Sequence, residues 1–130
     1  MEINYDITQI IKETNINNLN IITSGNVPPN PSELLASSKV VELIKALKTY
    51  YDVIIFDGAP VLPITDSLIL ARLLDSTILV ARYNQTKKDN LLKAKSDIEN
   101  VGGKIIGTCL NGVPSKGNSG DLNYYYYYGL

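Results

Sequence analysis

The chain has 130 residues, 45% of them hydrophobic, with 12 Lys and Arg against 13 Asp and Glu for a net charge of -1. That is one small domain with enough apolar residues for a core, and it lacks the basic excess that binds nucleic acid or an anionic membrane. No run reaches the roughly 18 apolar residues of a membrane helix. The start Met1-Glu2-Ile3-Asn4 has no signal-peptide pattern. With no histidine and the single Cys109, neither a disulfide nor a histidine metal cluster is expected, and a reducing, cytoplasmic setting is.

In chain order, residues 5–14 place Tyr5, Ile7, Ile10 and Ile11 at helical spacing and predict a short amphipathic helix. Residues 19–23 read as a short buried strand stopped by Ser24-Gly25. A helix is then predicted from Asn30 to about Tyr50. Asn30 is its N-cap, Pro31 its first residue and Glu33 the capping-box acid, with Leu34, Leu35, Val41, Leu43, Ile44 and Leu47 facing inward. Residues 52–57 (DVIIFD) form an apolar strand ending in an acid. Residues 66–74 form a helix capped by Thr65 or Asp66. Residues 76–82 form another strand, and residues 86–101 a helix turning Leu91, Leu92, Ala94, Ile98 and Val101 inward. Gly102-Gly103 stops that helix, and residues 104–110, with Cys109 as a small buried hydrophobe, form the last strand.

Apolar strands alternating with helices imply a parallel sheet covered on both faces, so the expected class is α/β and doubly wound. After Val113 the composition changes to a flexible polar linker and then five tyrosines, dividing the chain into 1–113 and 114–130.

In open parallel sheets, ligands bind beyond the carboxyl ends of strands. Asp57 ends its run there, followed by Gly58-Ala59-Pro60, where a carboxylate suits the orientation of Mg²⁺ and its waters. Capping of the following turn is the structural alternative. For Asp66, at a helix start, capping is the better reading.

The stretch from Asn18 to Val80 is similar, segment by segment, to bacterial tyrosine kinases of the capsule and exopolysaccharide type, members of the deviant-Walker P-loop ATPases. The most telling pieces are SG-x-x-PPNPSELL and D-x-x-P-V-x-x-x-x-D, the latter comprising Asp57, Pro60, Val61 and Asp66. CLNGV resembles the family's strand-end Asn segment, and the tyrosine-rich tail completes the pattern from about Tyr5 to Gly129. The resemblance implies a truncated P-loop ATPase-like fold, Mg²⁺ and ATP as cofactors, Asp57 as the Walker B acid, and Asn111 near the adenine pocket. It also implies autophosphorylation at Tyr124, Tyr125, Tyr126, Tyr127 and Tyr128, in control of polysaccharide assembly. Partners would be a membrane-embedded activator or polysaccharide-assembly protein and other copies of the chain. Recruitment to the inner membrane face would then run through a partner, without insertion.

G-x-x-x-x-G-K-[ST], whose backbone N–H groups and lysine cradle the phosphates, does not occur in these residues. The Gly-Lys pair Gly103-Lys104 precedes Ile105 and reads as part of a helix stop. These residues alone are therefore expected to be catalytically incompetent. The alternative to an autokinase is a regulatory acceptor phosphorylated by a P-loop-bearing partner. The linker 115–123 would span roughly 17 Å as a coil, enough to carry the tyrosines to a neighbouring molecule. Each phosphate would add about -1.5 to -2 charges. Tyr5, Tyr50, Tyr51 and Tyr83 read as packing residues.

Overall fold

A computed structural model describes residues 7–26 and 28–114 of the chain. Its first unit differs from the predicted helix. A 3₁₀ turn, Ile7–Gln9, leads into β1 (Lys12–Glu13), which pairs antiparallel with β2 (Asn20–Ile21). The helical spacing spans too few residues to be stable without packing. The Asn-rich turn supplies the alternative: Asn18 adopts φ 63°, and Thr14 Oγ1 accepts the Ile16 N–H at 3.1 Å and donates to the Leu19 carbonyl at 2.8 Å.

The next helix is two helices. α1 (Pro31–Leu35) and α2 (Ser38–Leu47) meet at Ala36-Ser37. Ser37 takes an extended conformation and donates its hydroxyl to the Leu34 carbonyl at 2.6 Å, the local competition by which serine interrupts helices. Asn30 stands at the N-cap as expected, but its side chain donates to Glu33 Oε2 at 2.9 Å and makes no cap bond to backbone. Of the predicted inward residues, Ile44 and Leu47 are buried, whereas Leu34 is exposed.

Residues 66–111 follow the sequence closely. α3 (Asp66–Leu73) leads into a βαβ unit of β3 (Thr77–Arg82), α4 (Lys88–Asn100) and β4 (Ile105–Asn111). Its strands pair in parallel from Thr77↔Ile105 to Arg82↔Asn111. Two glycines end α4 by different means. Gly102 supplies the left-handed φ of +83°, and Gly103 donates its N–H to the Ile98 carbonyl at 2.9 Å while Gly102 donates to Glu99. These two bonds form a Schellman stop.

Ala71 of α3, Leu79 of β3, and Ala94 and Ile98 of α4 make the buried core, with Val61, Leu68, Leu91 and Ile105 packed on it. Ile98, only 1% exposed, is the most deeply buried large side chain among the described residues; that burial contributes about 1.5–3 kcal/mol. The helices α3 and α4 thus cover the face of β3 that carries Leu79 and Ala81. On the opposite face Ile78 and Val80 are 59% and 66% exposed. Cys109, paired in register with Val80, shares that face and is exposed rather than buried.

The predicted strand 52–57 is not a strand. It keeps the period-two alternation of extended chain: Ile54 and Phe56 are half-buried, while Val53 and Ile55 are 75% and 87% exposed. β-Branched residues favour the extended backbone, but a ladder needs a neighbouring chain to accept and donate. Among the described residues this segment has none. Tyr50, at 75% exposure, and the exposed Tyr83 are likewise not the packing residues expected, since each lies just past the end of its element. Tyr51 is half-buried and its hydroxyl accepts from Asn20 Nδ2 at 2.8 Å, which ties β2 to the end of the α2 turn. Tyr5 lies outside the described residues.

Candidate functional site

Asp57 stands at the carboxyl end of the extended apolar segment, exposed, and makes no hydrogen bond or ion pair among the described residues. The next residues explain how the chain turns there. A Cβ added at Gly58 would lie 3.1 Å from Ser67 Oγ, and that hydroxyl donates to the Ala59 carbonyl at 2.5 Å. The first turn of α3 therefore grips the backbone just after Asp57, and glycine is what permits the approach.

Asp66 does not cap its helix. Thr65 occupies the N-cap position without a side-chain bond, and the half-buried Asp66 carboxylate accepts the Ser32 hydroxyl at 2.5 Å. The acid in the first turn satisfies the helix dipole, and it also joins α1 to α3. Ser32 and Ser67 are the two hydroxyls that sequence reasoning passes over. Ser32 lies in the PPNPSELL piece, one residue past the helix-starting proline.

Asn111 closes β4 at the carboxyl end of the parallel pair. Its Oδ1 accepts the N–H of Gly112 at 2.7 Å, and its carbonyl accepts the Tyr83 N–H at 2.8 Å. Gly112 has φ +72°, and a Cβ there would sit 3.8 Å from Arg82 Cγ and 3.9 Å from Nε, so the Arg82 side chain lies across this turn. Sequence reasoning misses Arg82 too, although a cation at the carboxyl end of an apolar strand is a readable signal. Its backbone N–H donates to Thr86 Oγ1 at 2.8 Å. No interaction joins Asp57 to Asn111 among the described residues.

Of these groups, Asp57 is the one whose chemistry could orient a hydrated divalent ion. No cluster of three or more Asp, Glu, His or Cys able to hold a metal occurs among the described residues. A divalent ion at Asp57 would have one carboxylate with water in the other positions, the arrangement Mg²⁺ favours. The phosphate-binding motif G-x-x-x-x-G-K-[ST] does not occur in the sequence. A cavity of about 740 Å³ lies between α3 and the end of α4 and is lined by neither Asp57 nor Asn111. Tyr124 to Tyr128 lie outside the described residues. None of the described helices is long and apolar enough to cross a membrane.

No protein-family model matches the chain. Among curated proteins, CapB of Staphylococcus aureus is 43% identical over 119 residues, covering 92% of this chain and 51% of CapB. Tyrosine-protein kinase YwqD of Bacillus subtilis is 36% identical over 104 residues, covering 80% and 44%. Among solved structures, the kinase domain of Escherichia coli tyrosine kinase ETK superposes with a TM-score of 0.80 at 30% identity, over 95% of this chain and 46% of that one. The chimerical protein CapA2B2 gives 0.79 at 34%, over 83% and 48%. The chain thus spans about half the length of these relatives. In sequence and in its α/β, P-loop ATPase-like fold, the chain belongs to the bacterial tyrosine kinases, as a C-terminal part of their kinase domain.

Proposed function

We propose that these residues serve a bacterial protein-tyrosine autokinase that regulates capsule or exopolysaccharide synthesis. In this reading they contribute the magnesium-orienting acid Asp57, the adenine-side residue Asn111, and the phosphate-accepting cluster Tyr124 to Tyr128. Residues 114–130 act as the acceptor tail of the folded unit 1–113. The observation that carries the reading is Asp57 itself: an exposed carboxylate without a partner among the described residues, at the carboxyl end of an apolar segment, its following backbone gripped by Ser67. A structural acid would have a donor to satisfy. Mg²⁺ and ATP are the cofactors this reading requires, and the phosphate-binding loop must come from outside these 130 residues.

That requirement supports a second reading, in which the chain is an acceptor phosphorylated by a P-loop-bearing kinase. Either way it works in the cytoplasm, brought to the inner face of the membrane by a membrane-embedded activator or assembly protein, and copies of it associate through the tail.

Intact mass spectrometry of the purified chain tests this, first with Mg-ATP alone and then with a catalytic amount of the ETK kinase domain added. The expected result is an unchanged mass alone and successive phosphate additions with the kinase, all mapping to Tyr124–Tyr128. Phosphorylation alone would locate a working nucleotide site in these residues and remove the acceptor reading. No phosphate on the tail in either arm refutes the proposal.

A further inference from the structure

Thr65, Leu68, Ile69 and Arg72 recur at helical spacing and form one stripe of α3. Across an open groove of about 740 Å³ this stripe faces Asn100, Val101 and Gly102 at the end of α4, a size that admits ligand-scale groups. Leu68, Ile69 and Val101 are half-buried and give the groove apolar walls, while Thr65, Asn100 and Arg72 are exposed. Arg72 is the one charged residue of this lining, and it makes no ion pair among the described residues. The acids nearest the lining in sequence are engaged elsewhere: Asp66 with Ser32, Asp75 with Lys48, Asp97 with Lys93 and Glu99 with Lys95. Apolar walls beside an unclaimed guanidinium match an aromatic ring that carries an anion. The ring packs on the walls, and the planar fork holds two phosphate oxygens.

We infer that this groove holds a phosphorylated tyrosine of the chain's own Tyr124–Tyr128 cluster, so that the phosphorylated tail folds back onto α3 and α4 and is withdrawn from other copies. The inference rests on the acceptor reading of the tail given above. Reach permits it. Pro114 stands three residues past the carboxyl end of β4, whereas Gly102 lies at the amino end of that strand. The strand sets those ends about 20 Å apart. Residues 115–123 span roughly 17 Å as a coil and about 30 Å fully extended, which brackets that distance. A short tether also raises the local concentration of the tail to the order of millimolar, so a modest contact suffices. The negative ends of α3 and α4 oppose a phosphate here. That opposition is weak and screened, and Gly102 and Gly103 already close the last α4 carbonyls. The charge-assisted fork of Arg72 is the stronger effect. An unphosphorylated tyrosine has no anion for Arg72, so phosphorylation decides whether the groove fills.

The test uses the full 130-residue chain with phosphate installed on Tyr124 to Tyr128 by semisynthesis, so that no kinase takes part. Backbone amide NMR compares it with the unphosphorylated chain, and a tyrosine phosphatase is timed as it removes the last phosphate. The expected result is shift changes confined to Thr65–Arg72 and Asn100–Gly102, unchanged on dilution. The phosphatase should finish about tenfold or more faster on Arg72→Gln than on the wild type. Lys45→Gln, which removes the same charge from α2, should leave the rate unaltered. Arg72→Gln should also keep the amide spectrum of the unphosphorylated chain beyond its own helical turn, because that side chain bonds nothing in the described fold. Absence of shifts at the groove overturns the inference, as do equal effects of Arg72→Gln and Lys45→Gln, which would mean a general attraction. Shifts that fade on dilution overturn it too, and would assign the bound tail to a second copy. Failure of the ETK kinase domain to phosphorylate the tail refutes the acceptor reading instead and leaves this measurement intact.

Discussion

Replacing Gly103 by alanine should destabilise the fold through a single contact, and the structure allows its size to be worked out. Gly103 does not need its glycine for backbone reasons; that role belongs to Gly102, with its φ of +83°. A Cβ at Gly103 would lie 2.7 Å from Ile98 Cγ2 and 3.1 Å from both the Cβ and the carbonyl oxygen of Ala71. Ile98 is the most buried large residue of those described and Ala71 is part of α3, so neither can swing away. Overpacking of this kind costs about 1–3 kcal/mol. Ile98→Ala alone should cost about 2–5 kcal/mol, since a backbone wall beside it prevents collapse of the cavity. The double variant is the decisive case, because Ile98→Ala removes the methyl group that the new Cβ of Gly103→Ala would strike. It should be more stable than the sum of the singles implies, by about 0.5–2 kcal/mol. Urea unfolding followed by circular dichroism, with unchanged m-values, measures all three. A neutral Gly103→Ala, or a cycle that is additive within error, would refute the packing argument.

Ser32→Ala should cost about 1 kcal/mol in urea unfolding, because it leaves the half-buried Asp66 carboxylate without its donor. The pair Lys48–Asp75 is 2.7 Å long but 45% and 79% exposed, so Lys48→Met should change stability by less than about 0.5 kcal/mol, with no greater effect in high salt. Asp57→Asn should leave the urea midpoint unchanged, since nothing in the described fold depends on that carboxylate; a loss above about 1 kcal/mol would make it a structural acid. Cys109 should react fully with a thiol reagent in the absence of denaturant, and slow reaction would contradict the open face.

Elements held by contacts within the chain are legible in the sequence. The bounds of α4, its Gly-Gly stop and the two strands it connects all fall within a residue or two of those predicted, because each is held by backbone bonds within the βαβ unit, but Leu92, expected to face inward, is 53% exposed, outside the stripe that Ala94 and Ile98 bury. Segment 52–57 misleads for the opposite reason. Its composition suits a strand, but a strand is a property of the pair, and composition is silent about the neighbour. Cys109 misleads for a related reason: its run is apolar, yet its side of β4 has nothing packed on it. The break at Ser37 and the Ser32–Asp66 bond depend on hydroxyl geometry that helical periodicity does not register. For the candidate site, Asp57 and Asn111 are readable because each is a polar residue that ends an apolar run. The two serines become visible only once α1, α3 and the turn after Asp57 are placed side by side, whereas Arg82, a cation ending an apolar strand, carries a signal that the sequence reading passed over.

The bond from Ser32 to Asp66 spans 34 positions, and Ser67 holds Ala59 from the same helical turn. The start of α3 is thus a knot from which a long loop leaves and to which it returns. Everything between, including α2 and the stretch ending at Asp57, is a closed excursion rather than a free arm, held along its course by the buried Ile44 and Leu47 and by the Lys48–Asp75 pair. Closing such a loop costs only a few kcal/mol, and the cost grows slowly with its length. The reach of Asp57 is consequently set by the short run of chain from Asp57 to Ala59, a tether that keeps the carboxylate near α3 while Val53 and Ile55 upstream stay exposed.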